Sequence, residues 1–423
     1  MLFSNKSFDS NAFISILKGF DLIDIEIDFP MDNFNDIFMS LNKITKFLKN
    51  QPQHPIINAV LNISEDESLR TIFGENEMIT SVNIKGKPSS IGDNVFSGFK
   101  SLVKISIPDS IKSIGNSAFN DCFSLIDIKL PSLKEISNST FSNCKKLNKI
   151  FENMSNTDNL QYINDSSFYN CESIEVISLP LNVKSIGNNS FAQCLNLTQI
   201  TLNDCLQTIG KYAFLNCSIN EIIIPSSVKS IGDHAFENCY KLKKVEIKEG
   251  LKIIGQSAFS NCSLIECLIL PDSVRTIKEQ AFSNCSSLKT VKIPQCVNTI
   301  SKKMFYQCTS LVYLNISDVK IIDESAFDGC IELQNIEIPN VIKIHPYAFN
   351  ECNSLEKIEL SPKIKMIGEF CFAFCKTFTE ISIPETINTY KKGLFQGCEK
   401  LTSIEIHNSV KSIEDKCFSG CFS

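Results

Sequence analysis

The chain has 423 residues, 43% of them apolar, with a formal net charge of −6 and a pI near 5.5. That balance gives no bulk electrostatic case for nucleic acid or an anionic membrane. The first twenty residues lack a basic segment followed by an unbroken apolar run, and no apolar run of roughly 18 residues occurs anywhere. The sequence therefore reads without secretory signal or membrane span and, on that ground alone, as cytoplasmic.

Residues 1–77 are expected to form a small α+β module. Leu22–Phe29 alternates apolar and acidic residues as a half-buried strand does, and Pro30 ends it. From Asn33 to Lys49, Phe34, Ile37, Phe38, Leu41, Ile44, Phe47 and Leu48 recur at helical spacing, which predicts an amphipathic helix. Pro52 and Pro55 break it, and Pro55–Ile63 reads as a second strand or an imperfect coil. The role expected of this module is a cap over the apolar end of the downstream array, with a small targeting or interaction module as the alternative.

Residues 78–423 are repetitive. Fifteen phenylalanines recur from Phe96 to Phe418 at a spacing of roughly 22–23 residues, with one longer interval between Phe141 and Phe168. A fixed period in this range is the mark of a solenoid. Three residues after the Phe stands Cys in fourteen copies and Phe99 in the first, so the slot is apolar. Nineteen cysteines would suggest disulfides in a small secreted protein. Here stacking places equivalent residues roughly 5 Å apart with parallel Cβ directions, which does not suit bridging. A ladder of buried thiols acting as small hydrophobes is expected instead. Cys371 and Cys417 fall in the small-residue slot before Phe and read as core, whereas Cys205, Cys267 and Cys296 fall at outward positions and are expected to be exposed.

Within each coil, apolar residues follow Cys at three, six and eight positions, the last two alternating with polar ones, as in Leu242, Val245 and Ile247. This predicts a short strand buried on one face, often stopped by a proline such as Pro225, Pro271 or Pro294. A second apolar pair precedes the Phe. Gly between them and the Phe occurs in seven copies, but Lys278, Lys391 and Glu414 stand there in others, which argues against a left-handed backbone at that position. An ordinary tight turn or a single helical turn is expected.

The string Leu-x-x-Ile-x-Ile-Pro-x-Ser-Val-Lys-Ser-Ile-Gly-x-x-Ala-Phe-x-x-Cys resembles the BspA-like, or Treponema-type, leucine-rich repeats, over about four-fifths of the chain. The resemblance implies an α/β-type repeat solenoid: a right-handed leucine-rich repeat array of about 15 coils, each of roughly 22–23 residues, with a parallel sheet on its concave side. It also implies a binding role, since members resemble surface proteins and adhesins of bacteria and parasitic protists, and so makes a cell-surface location an alternative to a cytoplasmic one.

Outward strand residues five and seven positions after Cys would line the concave face. Lys244, Glu246, Ile269, Lys292, Tyr313, Asn315, Glu337 and Glu359 are the candidate ligand-binding set, with Phe151 and Tyr313 as the only aromatic anchors on that face. Seven residues before the Phe, nine copies carry a base, among them Lys184, Lys229, Lys252, Arg275 and Lys320. Stacked, these form a stripe that could meet a linear polyanion; the competing reading is that they keep a sheet edge soluble. The four histidines make no metal-ligand cluster, and no nucleophile motif, P-loop or dinucleotide fingerprint occurs, so no catalytic, metal or cofactor residue is assigned.

The reading is a non-enzymatic scaffold that binds a protein or a glycan through its concave face. The alternatives are a cell-surface adhesin for host or matrix molecules and an intracellular assembly scaffold. No distinct cap follows Cys421, so the last coil is expected to offer an edge for self-association.

Overall fold

The computed structural model describes residues 77–422 apart from positions 153, 155 and 156, together with the backbone of the upstream strands Leu2–Phe3, Asp24–Pro30, Ile56–Ile63 and Ser68–Leu69. The chain divides into two compact units, Met1–Leu206 and Gln207–Ser423. In each, short parallel strands stack into a β-solenoid, and the described residues contain no helix.

In the first unit the longest strands form one parallel sheet in the order Leu2–Phe3, Asp24–Pro30, Ile56–Ile63, Ile79–Gly86, Lys104–Ser106 and Asp127–Ile128. The strand expected from alternation over Leu22–Phe29 is present as Asp24–Pro30, and Pro55–Ile63, expected as a strand or an imperfect coil, contains the strand Ile56–Ile63. They continue the repeat sheet instead of forming a sheet of their own. The helix expected over Asn33–Lys49 lies outside the described residues.

In the second unit nearly every coil supplies two strands to two different ladders. The longer one is the alternating strand after Cys, such as Lys244–Ile247, whose Lys244 and Glu246 are exposed while Val245 and Ile247 are buried. It pairs with Glu221–Ile224 of the preceding coil, Val245 opposite Ile222 and Ile247 opposite Ile224. The shorter one precedes the Phe: Thr208–Ile209, Ser230–Ile231, Ile253–Ile254 and Thr276–Ile277 stack in register. Because every pairing is shifted by one repeat, each buried position meets its own kind.

The third side of the coil is made by the turn around the Phe. There the backbone alternates between right- and left-handed conformations, with positive φ two residues before and two residues after the Phe, as at His234 (60°) and Asn238 (60°). The alternation aims successive N–H groups along the stack. His234, Phe236 and Asn238 donate to the carbonyls of Gln256, Ala258 and Ser260 at 2.7, 2.8 and 2.9 Å. Left-handed backbone costs little for Gly or Asn and more for other residues. That explains Asn143, Asn170, Asn216, Asn238, Asn261 and Asn284 in the second of these slots. The glycines that precede the turn are not left-handed, as expected from sequence. Their reason is proximity: a Cβ on Gly232 would stand 2.5 Å from the carbonyl carbon of Gly210.

Between the three sides lies the core. Phe214, Phe236 and Phe259 are fully buried and stack nearly parallel, with centroids 5.1 and 5.2 Å apart, and the column runs on through Phe418. Beside it runs the thiol ladder. The thiols are unbridged and, apart from the half-buried Cys421, buried, and Phe99 fills the same slot in the first copy at 1% exposure. They are more than small hydrophobes. Each Sγ donates to the carbonyl of the Phe one coil back, Cys239 to Phe214 at 3.2 Å and Cys262 to Phe236 at 3.2 Å. That carbonyl already accepts the N–H of its own coil's Cys, so the thiol satisfies its second lone pair. A residue that is small, apolar and still a weak donor fits the slot, and Cys is that residue.

Candidate functional site

With the buried columns identical from coil to coil, individuality is confined to outward side chains. On the long-strand sheet of the second unit, Lys244, Glu246, Ile269, Lys292, Tyr313, Asn315, Glu337 and Glu359 are all exposed. The register sets Ile269 beside Lys292, Tyr313 beside Asn335 and Asn315 beside Glu337. Ile269 and Tyr313 are 63% and 43% exposed, and with Ile223 they give this face apolar surface.

Three of these residues form one constellation. Tyr313 donates its hydroxyl to Glu337 Oε1 at 3.2 Å, and Asn315 Nδ2 donates to Glu337 Oε2 at 3.4 Å. Both carboxylate oxygens are thereby oriented from one side, and the charge faces outward. Beyond Glu337 the ladder opens. Lys357 and Glu359 lie on a segment with no strand, joined to its neighbour by a single bridge between Ile338 and Leu360. In this coil Ser361, buried, precedes Pro362, whereas Pro339 follows its strand directly. The opening leaves a groove of about 600 Å³ lined by Tyr313, Glu337, Lys357, Glu359 and Pro362. A second groove of about 390 Å³ lies on the other side of Tyr313, between Lys292 and Asp318. Tyr313 is the wall between them, a position with nothing special in the repeat pattern beyond its aromatic ring. The grooves themselves were not legible in sequence, because they depend on where a ladder fails to close.

The other expected anchor is corrected. Phe151 does not project outward; it is 9% exposed and packs edge-on against Phe168, with centroids 5.9 Å apart and an interplanar angle of 82°. It falls in the long interval between Phe141 and Phe168, whose extra residues displace the outward register. Phe151 instead lines a cavity of about 210 Å³ with Lys149, Val176 and Pro180 in the first unit.

The bases of the stripe lie on the residue leading into a short strand. In the second unit Lys229, Lys252 and Arg275 occupy consecutive coils: Lys252 N–H donates to the Lys229 carbonyl at 2.9 Å and Arg275 N–H to that of Lys252 at 3.0 Å. Lys252, Arg275 and, two coils further on, Lys320 are exposed, and the Lys229 ammonium also reaches the surface. In the first unit Lys184 is half-buried, with its Nζ 3.2 Å from Gln161 Oε1. Cys205, Cys267 and Cys296 are exposed, and Cys371 and Cys417 are buried, as expected. Among the described residues no three metal-ligating side chains come together, and no helix is long and apolar enough to cross a membrane. His234 stacks on Tyr212 at 4.6 Å and holds Glu237 at 2.8 Å, an ordering of the turn surface.

The fold is similar to that of known proteins. A leucine-rich repeat protein from Bacteroides ovatus is 27% identical, with a TM-score of 0.65 over 81% of this chain and 84% of its own. A leucine-rich cell surface protein from Faecalibacterium prausnitzii is 26% identical over 70% of this chain and 90% of its own, with a TM-score of 0.48. No curated protein matches the sequence. The family model described as the BspA type leucine rich repeat region matches residues 70–157, 149–218, 207–319 and 313–423. From the first of these matches to the end of the last, this chain belongs to the BspA-type leucine-rich repeat family, whose members are repeat scaffolds.

Proposed function

We propose that the protein is a non-enzymatic scaffold that binds a protein segment through the long-strand face of its second unit, centred on Tyr313. The observation that supports this reading is the constellation of Tyr313, Asn315 and Glu337 standing between two grooves. An exposed aromatic ring supplies contact area at low entropic cost, and a carboxylate already held by two donors meets a cationic group without further ordering. Glu337 and Glu359 outnumber Lys357 around the larger groove, so a segment bearing lysine or arginine is a better electrostatic match than a neutral glycan. The face suits an extended chain in shape as well, because the grooves follow the strands.

The test is site-specific crosslinking in cells. Photoreactive benzoylphenylalanine replaces Tyr313 in one version and the exposed Tyr240 in another. A discrete adduct from position 313, absent from position 240 and lost on adding Glu337→Lys, supports the reading; equal adducts from both positions refute it. Detecting a tagged chain with and without permeabilisation separates a surface adhesin from an intracellular scaffold.

A further inference from the structure

Lys229, Lys252 and Arg275 present an arrangement that folding alone does not call for. On consecutive paired strands, equivalent residues are roughly 5 Å apart, and like charges directly opposite one another destabilise a sheet. Some lysines of this unit have carboxylate partners: Lys211 and Lys278 share Asp233 at 3.1 and 2.8 Å, Lys289 meets Glu266 at 3.3 Å, and Lys302 meets Glu324 at 2.9 Å. Among the described residues, no carboxylate forms an ion pair with Lys229, Lys252, Arg275 or Lys320. The polar contacts that their charged groups do make are neutral, Lys229 Nζ to the Ser226 carbonyl at 3.1 Å and Arg275 Nη1 to Cys296 Sγ at 3.4 Å.

The protective role of lysine at sheet edges does not account for them. Such lysines blunt strands whose backbone groups are free to pair with another chain. Here Ser230–Ile231 is paired on one side with Thr208–Ile209 and on the other with Ile253–Ile254, which in turn pairs with Thr276–Ile277. The backbone of the column is bonded as well, since Lys229 donates to Gln207, Lys252 to Lys229 and Arg275 to Lys252. The strands that follow Lys229 and Lys252 leave no open edge to be kept soluble, while Thr276–Ile277, after Arg275, is the last strand of its sheet. A column of cations without ion-pair partners, two of them leading into strands paired on both sides, is an unmet electrostatic demand.

We infer that Lys229, Lys252 and Arg275, extended by Lys320, form a second binding site, distinct from the long-strand face, for a linear sulfated polysaccharide. From Lys229 to Arg275 the column offers one cation per coil, which matches anionic groups borne at intervals on a chain. Arg275 adds a planar fork suited to two oxygens of one sulfate. Single-stranded nucleic acid is the less favoured polyanion. Proteins that hold it interleave cations with aromatic platforms for the bases. The positions of the column and those just after them are Gln207-Thr208, Lys229-Ser230, Lys252-Ile253, Arg275-Thr276, Asn298-Thr299 and Lys320-Ile321, without an aromatic ring. Cys296 beside Arg275 is an exposed thiol at the site, and Cys267 is an exposed thiol on the sheet face.

Heparin is the probe, used with the full chain under reducing conditions. The unaltered protein is expected to be retained on immobilised heparin at low ionic strength. The triple variant Lys229→Gln, Lys252→Gln, Arg275→Gln should bind about tenfold more weakly or worse, with a shallower salt dependence. Lys211→Gln, Lys289→Gln, Lys302→Gln removes the same charge elsewhere and should retain binding. Soluble heparin should slow alkylation of Cys296 and leave Cys267 unchanged, a readout on the unaltered protein that does not depend on any variant folding. Flow-through of the unaltered protein, equal losses in both triple variants, protection of Cys267 in place of Cys296, or tighter binding of single-stranded RNA than of heparin would each overturn the proposal.

Discussion

The buried columns and the long-strand face of the second unit are built from the same coils, yet they obey opposite rules. Along the Phe and Cys columns every coil repeats the same chemistry, because each side chain packs on its own equivalent one repeat away. Phe236 stacks on Phe259 at 5.2 Å, and Cys262 donates to the Phe236 carbonyl. Along the outward columns the residues change from coil to coil, from Glu246 to Ile269, Lys292, Asn315 and Glu337. Translation symmetry constrains whatever touches its neighbour's copy and leaves free whatever touches solvent. Stability therefore resides in sameness and recognition in difference.

The largest effect that would sharpen this contrast is alkaline unfolding. Burial pushes the ladder thiols up, Cys194, Cys239 and Cys285 to about 12, with the backbone hydrogen bond from the preceding coil lowering them only partly. A group whose folded pKa is raised contributes stability that is complete below its unfolded pKa and lost as pH climbs toward the folded value. The window thus opens near pH 8.5–9 and extends to about 12. Each thiol forfeits about 1.4 kcal/mol per pH unit in that window, and the ladder sums them, so cooperative loss of structure is expected near pH 10. Circular dichroism against pH, with a reductant present, checks this. Replacing the exposed Cys205, Cys267 and Cys296 by Ser should leave the midpoint in place; a protein still folded well above that pH would refute the account.

Next in size is a paired comparison of two aromatics. Phe259→Ala removes a fully buried ring stacked on both sides and should cost about 3–5 kcal/mol, spread over adjacent coils. Tyr313→Ala removes an exposed ring and should change denaturant stability by less than about 1 kcal/mol while abolishing co-purification of the partner identified by the crosslink from position 313. Similar losses from the two would break the division between core and face.

The smallest effect tests an exception inside the buried columns. Tyr390 stands where other coils have Ile; it is fully buried, and its hydroxyl has no hydrogen-bond partner among the described residues. Burial pushes that hydroxyl's pKa up. Tyr390→Phe removes the orphaned polar atom at constant shape and should stabilise the protein by up to about 1 kcal/mol in chemical denaturation. Destabilisation would show that the hydroxyl has a partner.

Period and hydrophobic alternation in the sequence alone determine the solenoid, the parallel strands, the Phe and Cys columns, the exposed thiols and the position of the basic stripe. They can do so because each is a property of one coil multiplied by translation. The left-handed turn residues were signalled only by the Asn in Phe-x-Asn-Cys, and the inter-coil ladder that needs them was not visible. Tertiary structure decided the rest: that the thiols are donors, that Phe151 turns inward in the long repeat, that the ladder opens beyond Glu337, and that Lys229, Lys252 and Arg275 stack without carboxylate partners. Each of these depends on how one coil meets a different neighbour, and a repeat pattern, which records what coils share, does not contain it.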